Sequence, residues 1–136
     1  MVIIKIDDNG ILFLGHKWQE MRLRDYHPQD CCEHHYADWE TLDLHKEYIC
    51  ADGTAKKLGF FDFPEDINEL IIPVKDLGFF LKANDGTKIL VNCYAENNGW
   101  YNTNLELRLE EISYVRKGTL DISECQRWEH LNSGGD

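Results

Sequence analysis

An α+β domain that is mainly β, made of antiparallel hairpins and a meander with one to three short helices, is the fold class this sequence predicts. Three observations predict it. Strand-length apolar runs flank turn signals: Val2 to Ile6 and Ile11 to Leu14 lie either side of Asp7-Asp8-Asn9-Gly10, and Gly78 to Ala83 and Lys88 to Ala95 lie either side of Asn84-Asp85-Gly86-Thr87. Leu105, Leu107 and Leu109 alternate with Glu106, Arg108 and Glu110, the period of a strand with one buried and one wet face. Helical signals are confined to short stretches.

Along the chain, Val2 to Ile6 and Ile11 to Leu14 form the first hairpin, and 16–24, where Trp18, Met21 and Leu23 keep no clean period, is assigned to strand. Residues 38–48 predict a short helix with Asp38 as N-cap and Trp39 and Leu42 on one face. Leu58 to Phe63 reads as a buried strand, and Phe60, Phe61, Phe63, Phe79 and Phe80 as core. A second helix is expected over 63–70 with Pro64 at its first position. Residues 78–83, 88–95 and 100–110 predict three consecutive strands of a meander, the last following the turn Asn97-Asn98-Gly99. A third helix is expected over 123–131, capped by Ser123 with Gln126 three residues on. Residues 1–131 make a single globular domain and 132–136 a flexible tail.

With 136 residues, 43% hydrophobic and 12% aromatic, the chain is large enough for one real core and too apolar for disorder. It lacks an apolar run of transmembrane length, and its start, Met-Val-Ile-Ile-Lys-Ile, reads as a strand and not a secretion signal, so no membrane association and a cytoplasmic location are expected. Five cysteines, an odd number without the Cys-x-x-Cys spacing, argue for free thiols. The formal charge of −11 repels phosphate backbones, which argues against direct nucleic-acid binding and favours basic protein partners or bound cations. No phosphate-binding glycine loop, Gly-x-Ser-x-Gly elbow or His-Glu-x-x-His helix is present. The oligomeric state stays open.

One segment is dense in reactive side chains. Residues 25–47 hold seven carboxylates, four of the six histidines and two of the five cysteines, with Lys46 the single Lys besides no Arg. Three readings compete for its centre, 27–38. In the first, His27, Asp30, Cys32, His34 and His35 are metal ligands; a His-His-carboxylate set suits iron and Cys-His suits zinc. If 30–36 is extended, Cys31, Glu33 and His35 share one face and Asp30, Cys32 and His34 the other. In the second, Cys31 or Cys32 is a nucleophile, a nearby histidine its base, and Asp30 or Glu33 the orienting acid, although crowded carboxylates oppose a thiolate. In the third, one cysteine packs in the core, Asp30 closes the turn after Pro28, and the histidines line a wet edge.

The stretch His27-Pro28-Gln29-Asp30-Cys31-Cys32-Glu33 resembles the His-x-Gln-Asp-Cys-Cys-Glu stretch of a family of small uncharacterised proteins from tailed phages and bacteria. Asn98-Gly99-Trp100-Tyr101 is similar to an Asn-Gly-Tyr-Tyr turn of the same family, with Trp100 departing from it. The resemblance implies a small β-rich domain in a phage or mobile-element setting and no particular activity. The leading expectation is a non-enzymatic binding or interaction protein acting through an acidic surface. The alternative is a metal-binding protein, with zinc or iron, or a small Cys/His-dependent enzyme centred on residues 27–38.

Overall fold

The computed structural model of the chain describes residues 2–28, 34–97, 104–111 and 116–130. The architecture is mainly antiparallel β, with two sheets facing each other across one core. The first sheet takes β1 (Val2–Asp7), β2 (Gly10–Leu14), β3 (Glu20–Tyr26), β10 (Glu106–Glu111) and β11 (Arg116–Asp121), in the order β1-β2-β3-β10-β11, all antiparallel. The second takes β12 (Arg127–His130), β9 (Lys88–Asn97), β8 (Gly78–Lys82) and β7 (Ile71–Val74), in that order, with β4 (His34–Ala37) also on β9. The β12–β9 pair is the one parallel pairing among the described strands. A separate hairpin joins β5 (Glu47–Ile49) to β6 (Ala55–Lys57).

The hydrophobic pattern dictates this arrangement. Ile3, Ile11, Phe13, Met21, Leu23, Leu105, Leu107 and Leu109 point inward from the first sheet, and Phe79, Leu81, Ile89, Val91 and Cys93 meet them from the second. The alternation of Leu105, Leu107 and Leu109 with half-buried Glu106, Arg108 and Glu110 therefore places each side chain as period two requires. The wet face of this sheet pairs its charges across strands. Arg24 bonds Glu110 at 2.9 Å, Arg22 bonds Asp7 at 3.0 Å, and the Arg108 guanidinium lies 3.5 Å from the centre of the Tyr26 ring.

Several expectations change in the folded chain. The strands at 78–82 and 88–97 form the expected hairpin, but the third strand leaves them: β10 inserts between β3 and β11 of the opposite sheet. Residues 94–96 of β9 already carry β4 on one side and β12 on the other, so no edge is left there for a third meander strand. The three-strand meander is instead β1-β2-β3. The helical part of the expected α+β class shrinks to one four-residue helix, α1 (Ile67–Leu70), and two 3-10 turns, Trp39–Thr41 and Leu58–Phe60, among the described residues. Asp38 makes no side-chain cap, and 47–49 joins a hairpin. Helix α1 starts later than Pro64, because Asp66 caps it through Asn68 N–H. The expected helix at 123–131 is a turn followed by β12, since backbone pairing along β9 outweighs a local cap signal. Leu58 to Phe63 is not a strand: Leu58, Phe61 and Phe63 are buried while Phe60 is 77% exposed. Phe80 likewise stands half-exposed on the outer face of β8, opposite buried Phe79. No helix among the described residues is long and apolar enough to cross a membrane. Trp100, Tyr101 and the tail 132–136 lie outside the described residues.

Candidate functional site: an acidic cleft beside β4

Strand β4 organises the region that the sequence singles out. It pairs antiparallel with β9, His34 opposite Glu96, His35 opposite Ala95, Tyr36 opposite Tyr94 and Ala37 opposite Cys93. Alternation along the strand then sends His35 and Ala37 into the core and His34 and Tyr36 to the outer face. His34 and His35 thus face opposite sides of one sheet and do not join a common centre.

His35 is brought together with His27 instead. Their rings lie 4.2 Å apart, centre to centre, at the meeting point of the end of β3 and the start of β4. His35 Nδ1 donates to Gln126 Oε1 at 2.9 Å, Gln126 Nε2 donates to the Ser123 carbonyl at 2.9 Å, and His27 Nδ1 donates to the Asn104 carbonyl. His35 and Gln126 are buried, so these bonds satisfy polar groups that would otherwise be costly to bury. Asp30, Cys31, Cys32 and Glu33 lie outside the described residues. Among the described residues, no group of three or more His, Cys, Asp or Glu side chains is placed to hold a metal ion. The three described cysteines, Cys50, Cys93 and Cys125, are free and buried. Burial, and then the charge of Asp25, pushes the Cys93 thiol far above the ordinary thiol range; burial also raises Cys125.

On the outer side of β4 lies a cleft of about 420 Å³ lined by Asp8, Asp25, His34, Tyr36, Ala37, Asp38, Trp39 and Glu40. It is built from four pieces of chain. The β1–β2 turn supplies Asp8, the end of β3 supplies Asp25, β4 supplies His34 and Tyr36, and the 3-10 turn supplies Trp39 and Glu40. Asp25 fixes the geometry: one carboxylate oxygen accepts the Ala37 N–H at 2.8 Å, the other the Trp39 indole N–H at 2.9 Å. That holds the buried Trp39 ring edge-on to Phe79, 5.7 Å away. Asp25 is therefore a structural carboxylate, leaving Asp8, Asp38 and Glu40 to face solvent in the cleft. Glu40 and Asp8 approach closely enough to share a hydrogen bond, and that bond, then the Asp8 charge, raises the Glu40 carboxyl above its usual range. On the other wall, His34 stacks on Tyr36 with ring centres 4.3 Å apart, and the Tyr36 hydroxyl donates to Glu96 at 2.9 Å.

Sequence reading counts Asp25, Asp38 and Glu40 among the carboxylates of this stretch. Asp8 is missed, because it reaches the cleft from a turn 30 residues away in the chain, and only the β1–β2–β3 pairing brings it there. Tyr36 and Trp39 are missed as well, since their contribution depends on which face of β4 each occupies. No family model, curated protein or solved structure matches the chain.

Proposed function

We propose that the chain is a non-enzymatic binding protein that engages a basic segment of a protein partner through the cleft beside β4. The observation that carries this reading is the composition of the cleft wall, which holds four carboxylates, the rings of His34, Tyr36 and Trp39, and no Lys or Arg. Two carboxyl groups crowded to hydrogen-bond distance repel each other once both are ionised, and an incoming guanidinium or ammonium relieves that repulsion. Tyr36 adds an aromatic surface suited to the stem and charge of Arg or Lys. The net charge of −11 extends the attraction beyond the cleft and accelerates encounter with cationic partners. The phage or mobile-element setting is supported by the resemblance of His27–Glu33 and Asn98–Tyr101 alone.

Affinity capture from host lysate at low and moderate salt, with wild type beside an Asp8→Asn/Asp38→Asn/Glu40→Gln variant, tests the reading. Basic proteins retained by wild type and released by the variant are the expected result. An empty capture at every salt concentration, or the same proteins on both baits, contradicts it.

A second reading places metal or thiol chemistry on residues 27–38, favoured by the convergence of the His27 and His35 rings. Elemental analysis of the purified protein, and its melting with and without added Zn²⁺ or Fe²⁺, test the metal version. Iodoacetamide labelling of Cys31 and Cys32 near neutral pH tests the thiol version. Metal-free protein with an unchanged melting point and inert thiols would remove both.

A further inference from the structure

The β2–β3 loop presents an exposed tryptophan in a costly backbone conformation. Trp18 has φ +61°, the left-handed region, and is 76% exposed. A glycine is the ordinary occupant of such a position in a hairpin loop, because any other side chain meets its own backbone there. A strained residue persists only where the surroundings determine it. Here they do. Gly15 N–H bonds the Gln19 carbonyl at 2.8 Å, Trp18 N–H bonds the Gly15 carbonyl at 3.0 Å, Lys17 N–H bonds Gln19 Oε1 at 2.8 Å, and His16 N–H bonds the Glu65 carboxylate from a distant part of the chain. Four successive amides are satisfied, so the backbone that carries the indole has little left to order on binding.

Trp18 does not stand alone. The loop follows Leu14, which pairs across the strands with Val2, 41% exposed, on the same wet face as Ile4, 43% exposed. The 3-10 turn bearing Phe60, 77% exposed, lies against this end of β1: a Cβ on Gly59 would stand 3.3 Å from the Ile3 carbonyl. Val2, Ile4, Trp18 and Phe60 are four of the seven large apolar side chains exposed among the described residues; two are on β1, one is in the loop after its partner Leu14, and one is in the turn packed against β1, which makes this end of β1 the apolar corner.

We infer that this corner, anchored by Trp18 and Phe60, is the contact surface between two copies of the chain. A second copy is favoured by charge and by shape. The corner's fringe is of mixed sign, with exposed Lys5 and Lys17 beside Glu20, in a chain whose formal charge is −11. Lys5 is already paired with Asp7 in its own chain, but a two-fold axis beside Trp18 can set Lys17 of each copy against Glu20 of the other. An indole carried on a backbone held in one conformation suits a shape-specific protein pocket. A fluid bilayer rewards no fixed geometry, and an anionic one repels the chain's excess charge. Large aromatics at the centre of an interface carry most of its energy. This surface is separate from the acidic cleft, and neither reading depends on the other.

Sedimentation velocity of the full chain, from low to several hundred micromolar, tests the inference with Trp18→Gly and Phe60→Ser beside wild type. A monomer–dimer equilibrium is expected for wild type, weakened by at least about tenfold in each variant. In the dilute, monomeric range Trp18→Gly should melt a few degrees higher than wild type, because glycine removes the backbone strain; that separates lost association from lost folding. A monomer at every concentration, or a dimer indifferent to Trp18→Gly, overturns the proposal. So does a wild-type monomer that floats with phosphatidylcholine–phosphatidylserine vesicles through Trp18, which assigns the corner to lipid.

Discussion

Two carboxylates illustrate how differently one residue type is used. Asp25 is consumed internally, holding Ala37 and Trp39 with both oxygens. Asp25→Ala should cost about 2–4 kcal/mol, the loss of two bonds to a charged acceptor, and Asp25→Asn less, since an amide oxygen keeps one of them. Chemical denaturation of both variants checks the order. Glu40 behaves in the opposite way. Its carboxyl is raised by the hydrogen bond with Asp8 and by the Asp8 charge, so the folded chain holds that proton more tightly than the unfolded one. The contribution is fully present below the unfolded glutamate value and is lost as pH rises through the folded one. Glu40→Gln should therefore match wild type in acid and exceed it in stability at neutral pH, which thermal melts across that range would show. The sequence marks Glu40, Asp38 and Asp25 as one dense group, yet nothing local separates the structural carboxylate from the exposed ones. That distinction rests on Trp39 being buried beside Asp25, a tertiary fact.

Strands and turns are where the sequence is most legible. The hairpins at Asp7–Gly10 and Asn84–Thr87 follow from their Asx and Gly residues. Gly10 shows why the residue type is demanded: its φ is +103°, and a Cβ there would stand 2.0 Å from the Leu23 carbonyl of β3. Gly10→Ala should cost at least about 2 kcal/mol through strain and a forced shift of β3, measurable by urea unfolding. Helices are the least legible elements. Asp38, Pro64 and Ser123 all look like helix starts, but each is followed by too few residues to pass the cost of nucleation before pairing or turn geometry takes over. Ser123 instead bonds the Leu105 N–H and lies beside Asp121, whose carboxyl is lowered mainly by the Ser123 hydroxyl. The candidate site was legible as far as β4, whose extended form separates His34 from His35 as period two requires. Its partners on β9, at Gln126 and on the β1–β2 turn are far in sequence and leave no local trace.

At the scale of the molecule, one core joins both sheets, and the acidic shell is carried outside it. Leu107 is fully buried in that core, so Leu107→Ala should cost about 2–5 kcal/mol. Cys50, Cys93 and Cys125 are buried with it, and in the folded protein they should resist iodoacetamide until denaturant is added. An excess of carboxylates is gathered around a cleft lined by Tyr36 and Trp39, and the proposed binding of a basic segment rests on it. The most direct measurement is calorimetric titration of the full chain with a short peptide rich in Arg and Lys, run for wild type and for Asp8→Asn/Asp38→Asn/Glu40→Gln. Saturable binding to wild type that weakens with salt and is lost in the triple variant is the predicted result. Heats that are absent, or equal for the two proteins, would contradict it.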